Sequence, residues 1–159
     1  MITRELQLGG WLLYRPAVNV KSCRPEWNEQ TDFVSWVREH WPDDAALMFH
    51  PANEGDVTPQ YRQKLIKAGL LSGVADLIFM RSGWSWPAGV IEMKKEWWKA
   101  RPSPEQKDYL DNCSRDGKFA AVCNGVDAAK CAFSDYKKGL RCADARVKVA
   151  LQLIIGGGK

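Results

Sequence analysis

Glu92 and Lys94 lie two positions apart in Gly89-Val90-Ile91-Glu92-Met93-Lys94, an otherwise apolar run. In an extended strand, residues two apart share a face, so the carboxylate and the amine project together while Met93 points the other way. A carboxylate beside an ammonium in apolar surroundings suits a hard cation and a water molecule to be activated. Asp76 lies sixteen positions upstream (92 − 76), near the start of a second apolar run, Gly73-Val74-Ala75-Asp76-Leu77-Ile78-Phe79-Met80.

Phosphodiester hydrolysis is the reaction that such a set fits. The target is shielded by negative oxygens and its leaving alkoxide is poor. Magnesium or manganese neutralises the charge and lowers the pKa of a bound water. These ions take carboxylate and carbonyl oxygens, which Asp76, Glu92 and the main-chain carbonyl of Met93 could supply from adjoining strands. Lys94 would then orient the water or stabilise charge on the phosphate. Each residue also has a purely structural reading: Asp76 as an acid capping a turn, Glu92 and Lys94 as an ion pair at a strand end. Two acids and a lysine on consecutive apolar strands weigh toward a site.

Gln106 admits two readings. The spacing Ser103-x-x-Gln106 satisfies a capping box, in which the glutamine returns a hydrogen bond to the serine backbone. Its amide could instead reach the reacting water or a phosphate oxygen, since a helix N-terminus favours anions. Upstream, Glu26, Gln30, Phe33 and Val37 follow at helical spacing and share one face. That puts an acid and an amide on an inward face. Glu29 lies on the neighbouring line and competes with Glu26 for the same role; both acids also favour the positive end of a helix. His40 and His50 are the only histidines, too few for a histidine-rich metal site, although His50 can act as a single participant.

The elements that must hold these residues follow from their punctuation. Trp11–Tyr14 reads as a short strand after the Gly9-Gly10 pair. A helix is expected from Pro25 until Pro42 stops it, and a short strand over 45–49. His50-Pro51-Ala52-Asn53-Glu54-Gly55 has loop composition. Thr58-Pro59 and Ser103-Pro104 are helix starts, with a capping residue followed by proline at the first position. Strands are expected over 74–80 and 88–94, joined as an antiparallel hairpin, and over 119–123, followed by a helix over 126–137. Strand, crossover helix and strand in succession argue for an α/β sheet with helices on its faces. Periodicity leaves residues 143–155 open between helix and strand.

Composition adds bounds. With 159 residues, 45% hydrophobic and 26% charged, a single domain spanning 1–159 with a substantial core is expected. The net charge of +4 is a weak pointer, but basic residues cluster at Lys94, Lys95, Lys99 and Arg101 and again over 137–148. No apolar run reaches membrane-spanning length and residues 1–20 lack the pattern of a secretory leader. A cytoplasmic protein without a membrane partner is expected. Five widely spaced cysteines without a C-x-x-C pair speak against a zinc knuckle and for buried apolar thiols. Eight tryptophans fit core packing first and an interface or stacking surface second.

The ordered series Glu26-x-x-x-Gln30, His50-Pro-Ala-Asn-Glu-Gly55, Gly69-x-x-x-Gly73-Val-Ala-Asp76, Ile91-Glu92-Met-Lys94, Ser103-Pro-Glu-Gln106 and Gly117-x-x-Ala-Ala-Val122 leading to Gly125-x-Asp-Ala128 resembles the VRR-NUC family of the PD-(D/E)XK nuclease superfamily. It covers about residues 26–136. The resemblance implies a restriction-endonuclease-like mixed β-sheet flanked by α-helices and a magnesium- or manganese-dependent endodeoxyribonuclease. By position, Glu26, Asp76 and Glu92 would be acidic metal ligands, Lys94 the catalytic lysine, Gln106 an assistant at the site and Gln30 a support. Ala75 departs from the proline common before the acid, a change of turn stiffness rather than chemistry. Stand-alone, phage-type members imply a homodimer acting on branched DNA such as Holliday junctions, in the host cytoplasm if the chain is phage-encoded. A nuclease fold that binds nucleic acid without cutting it is the alternative.

Overall fold

The computed structural model describes residues 1–139 apart from 19, 21, 23, 52–56 and 98. Expectations for Cys23, Trp98, Cys142, the loop from Ala52 to Gly55, the basic residues beyond 139 and the segment 143–155 lie outside the described residues.

The chain opens with a hairpin of β1 (Ile2–Leu6) and β2 (Leu12–Pro16), registered from Ile2 opposite Pro16 to Leu6 opposite Leu12. Helix α1 (Glu26–His40) begins after Pro25, whose extended backbone (φ −60°, ψ 144°) turns the chain into the helix. It ends ahead of Pro42, which opens the single turn α2 (Pro42–Ala45); proline is at home in a first turn, where no amide partner is needed. Next come β3 (Met48–Phe49), α3 (Pro59–Lys67), β4 (Leu77–Phe79), β5 (Gly89–Lys94), α4 (Pro104–Arg115), β6 (Phe119–Asn124) and α5 (Val126–Lys138).

The strands form one mixed six-stranded sheet in the order β1-β2-β6-β5-β4-β3. β6 runs parallel to both β2 and β5, and the other pairings are antiparallel. Strand β6 is buried at every position and β5 at every position before Lys94, the pattern of central strands covered on both faces. On one face α1 and α5 deliver Phe33, Val37, Ala132 and Phe133 onto Ile91, Met93, Ala121 and Cys123. On the other, α4 delivers Leu110 and Cys113 onto Val90, Ala120 and Val122. Cys113 and Cys123 are buried free thiols that pack as small apolar residues. No described helix is long and apolar enough to cross a membrane.

The α/β reading and the β4–β5 hairpin are borne out. Three details differ. Strand β1 was not anticipated, and α2 occupies part of the span expected to be strand. Strand β4 is shorter than 74–80, and Asp76 stands one residue ahead of it. The cause is local: the Asp76 carboxylate accepts the Met93 N–H at 2.7 Å, so a side chain takes the place of a ladder carbonyl and the pairing stops there.

The N-terminal hairpin is tied to α5 by an ion pair. Arg4 Nε donates to Asp135 Oδ2 at 2.5 Å, and the buried Tyr14 hydroxyl donates to the same oxygen at 3.0 Å. Removing Asp135 strands a guanidinium and a phenol with little water. Asp135→Ala is therefore expected to lower unfolding free energy by about 3 kcal/mol and Tyr14→Phe by about 1 kcal/mol, both measurable by urea titration.

Candidate active site

The C-terminal ends of β5 and β6 and the approach to β4 form one end of the sheet. Helices α1 and α4 pack on opposite faces, yet both present their first turns there. Two helix N-termini, each with partial positive charge, thus meet at the same place.

Glu92 is the centre of the arrangement. It is fully buried, with Oε1 accepting from Lys94 Nζ at 2.5 Å and from the Gln106 side-chain amide. Its Oε2 is buried without a hydrogen-bond partner. Burial, reinforced by the negative charge of Asp76, pushes its pKa up to about 8, against the pull of Lys94. Asp76 is also raised, burial outweighing the Met93 amide and the Lys94 charge. Burial alone would lower the Lys94 ammonium, but Glu92, with Glu26 and Asp76 behind it, holds it above its ordinary value.

Glu26 reaches the same point from the first turn of α1. Its Oε1 lies 3.5 Å from Lys94 Nζ and its Oε2 accepts the Lys95 N–H at 3.1 Å. Carboxylate oxygens of Glu26, Asp76 and Glu92 fall within 4.8 Å of one another. Glu29 is separated from this group: its Oε2 accepts the Val126 N–H at 2.9 Å, capping α5, whose own N-cap is Gly125 and offers no side chain. Gln30 is buried one turn beyond Glu26, with no hydrogen bond to the acids among the described residues.

The capping-box reading of Gln106 holds, and its remaining amide group turns to the acid cluster. Its Oε1 accepts the Ser103 N–H at 2.8 Å and its own N–H donates to Ser103 Oγ at 3.2 Å, completing the capping box. Its Nε2 is left to face Glu92. The box fixes which end of the amide points at the carboxylate, because only the nitrogen can donate there.

Two contributors are less visible in the sequence. The His50 ring donates from Nδ1 to the Asp76 carbonyl at 2.6 Å, fixing the backbone that carries the acid. Gly73 has φ +75°, and a Cβ there would lie 2.4 Å from the backbone of Glu105. The turn before Asp76 therefore packs directly on the start of α4, where Gln106 sits. A positive φ combined with close backbone approach is a position that only glycine fills comfortably. The Gly73-Val-Ala-Asp76 spacing was the available signal.

The tryptophans divide by position. Trp86 is buried against Phe119, ring centres 5.0 Å apart. Trp84 is exposed but lies in the β4–β5 turn, at the opposite end of these strands from the acids. Trp97 follows β5 at the site end, with Lys95 Nζ 5.4 Å from its ring centre.

An all-oxygen donor set, a buried carboxylate oxygen lacking a partner and crowded negative charge fit a hard divalent cation. Glu26, Asp76 and Glu92 are the residues placed to hold it. The VRR-NUC domain profile matches residues 21–127, which span every side chain of this cluster. The fold is similar to a solved VRR-NUC domain protein, 21% identical, with a TM-score of 0.62 over 77% of this chain and 99% of that one. No curated protein matches the chain significantly.

The raised acid makes a stability prediction for the metal-free protein. A folded Glu92 keeps its proton up to about pH 8, whereas the unfolded carboxyl loses it near pH 4.3. The folded state binds more protons across that window, so stability falls as pH rises through it. In EDTA at pH 8.5, Glu92→Gln is expected to raise Tm by roughly 5 °C or more, with little gain at pH 4. Calorimetry at the two pH values checks this.

Proposed function

The chain belongs to the VRR-NUC domain family, a family of nuclease domains, and from that premise we propose that it is a magnesium- or manganese-dependent endonuclease hydrolysing phosphodiester bonds of branched DNA such as Holliday junctions. The observation that carries the reading is the convergence of three carboxylates around Lys94, with one buried oxygen left unpartnered. Glu26, Asp76 and Glu92, together with the Met93 main-chain carbonyl, are the proposed oxygen donors.

When bound, the divalent ion supplies positive charge to the phosphate and acidifies water. The rest belongs to the chain. A cation held beside Glu92 would favour its ionised form, which burial and the charge of Asp76 disfavour. Lys94 is held by Glu92 and Glu26, which restricts its ammonium to the rim of the acid cluster. From there it donates to the attacking water or to a non-bridging phosphate oxygen. Gln106 and His50 keep Glu92 and Asp76 in place, so little reorganisation is needed as charge develops. Lys95 and Trp97 at the same sheet end provide charge and a π-face for a strand leaving the site. A homodimer is proposed because a four-way junction has two-fold character and would meet two symmetric sites.

A substrate panel of junction, flap, duplex and single-stranded DNA in magnesium or manganese tests the reading. Cutting is expected to vanish in EDTA and in Asp76→Ala and Glu92→Ala, and to slow about 100- to 1,000-fold in Lys94→Ala. Equal cutting by parent and variants, or cutting that ignores EDTA, would sink it. Tight binding without cutting in either metal would assign the fold to binding alone.

A further inference from the structure

The acid cluster creates a charge problem for a polyanionic substrate. Glu26, Asp76 and Glu92 bring three carboxylates against the single ammonium of Lys94. Even with a divalent ion in place, the neighbouring phosphates of a bound strand need cations of their own.

Helix α3 lies where such cations are wanted. Its sequence, Pro-Gln-Tyr-Arg-Gln-Lys-Leu-Ile-Lys, carries Arg62, Lys64 and Lys67 and no acid. It also buries none of its residues, which is unusual for a helix in a domain, where an apolar stripe normally faces the core. Its order is supported locally, by Thr58 capping Tyr61 N–H and by Pro59 at the first position. Arg62 and Ile66, one turn apart, form one wall of an open pocket of about 200 Å³. Asp76 and Gln106 of the candidate site, together with His50, line the same pocket. The pocket thus reaches Asp76, and it also carries the cationic Arg62 and the apolar Ile66 and Leu71, both about half exposed.

We propose that the pocket between α3 and Asp76 holds the nucleotide next to the scissile phosphate, with Arg62 binding that nucleotide's phosphate and Ile66 and Leu71 packing on its sugar. This rests on the nuclease reading above and adds the strand-binding element to it. Arginine is suited to the task because its planar donors match two phosphate oxygens at once. At about 200 Å³ the pocket is too small for a duplex, so a strand enters it as a single backbone. Lys64 and Lys67 extend the same charge toward more distant phosphates. Because α3 contributes nothing to the core, Arg62 can be changed without unsettling the fold.

The test separates binding from cutting. Affinity for a junction labelled with a fluorophore is measured in EDTA at several salt concentrations, for the parent, Arg62→Ala, Arg62→Lys and Lys118→Ala. Lys118 pairs with Asp116 ahead of β6, at the sheet end remote from the acids, so its removal is a charge-matched control. Arg62→Ala is expected to weaken binding about tenfold at moderate salt and to reduce the salt slope by about one. Arg62→Lys should recover part of the affinity and Lys118→Ala should change neither quantity. Manganese binding by Arg62→Ala, measured by calorimetry, should be unchanged, since the cation would be held by Glu26, Asp76 and Glu92. Unaltered affinity in Arg62→Ala, or equal losses in Arg62→Ala and Lys118→Ala, would overturn the proposal. If no variant cuts DNA, including the parent, the binding measurements still decide the role of Arg62, and only the nuclease reading falls.

Discussion

Glu92 is a carboxylate with no exposed surface in a central strand of the sheet. Removing such a group from water costs several kcal/mol unless its oxygens are satisfied. Here one oxygen receives Lys94 and Gln106 while the other receives nothing. The neighbours are arranged around that deficit. Gln106 needs α4 to begin where it does, and that start leans on a glycine at position 73. Lys94 needs the strand to continue two residues beyond Glu92, and Asp76 ends β4 in order to bond the amide between them. A change at any of these points alters how well a single buried carboxyl group is met.

The same deficit links stability to activity. A fold selected only for stability would place a methylene chain where Glu92 stands. Retaining the acid leaves the metal-free protein short of its possible stability, and a divalent ion that binds only the folded state would restore part of it by mass action. Gln106 illustrates how few atoms are used to hold the position. One amide terminates a helix with its oxygen and steadies the acid with its nitrogen. A glutamate there could still accept from Ser103 but would set a negative charge against Glu92.

Much of this was legible in the sequence because it is locally punctuated. The starts of α3 and α4 are written as Thr-Pro and Ser-Pro, and the site strand as an apolar run interrupted by an acid and an amine. What escaped depends on partners far away in the chain. Strand β1 is half-buried at every position and shows no alternation, since its place is defined by β2 and by an arginine turned inward to Asp135. Glu26 and Glu29 share the first turn of α1, and their roles separate only through partners at positions 95 and 126. His50 acts through a backbone carbonyl 26 residues on, which no residue type announces.

The parallel pairing of β2 with β6 joins Leu12 to Ala121, a separation of 109 residues (121 − 12). Contacts of that length are slow to form, since a long loop must close before they stabilise anything. On a ribosome, the hairpin emerges well before β6, and β2 has no further sheet to join until β6 has been made. Strand β5 is in the same position, with β4 at hand but its other neighbour still to come. Glu26, Asp76 and Glu92 are therefore synthesised well before the scaffold that draws them together is complete. A nascent chain of this design carries its acidic cluster dispersed, and the acids assemble only once β6 has been made.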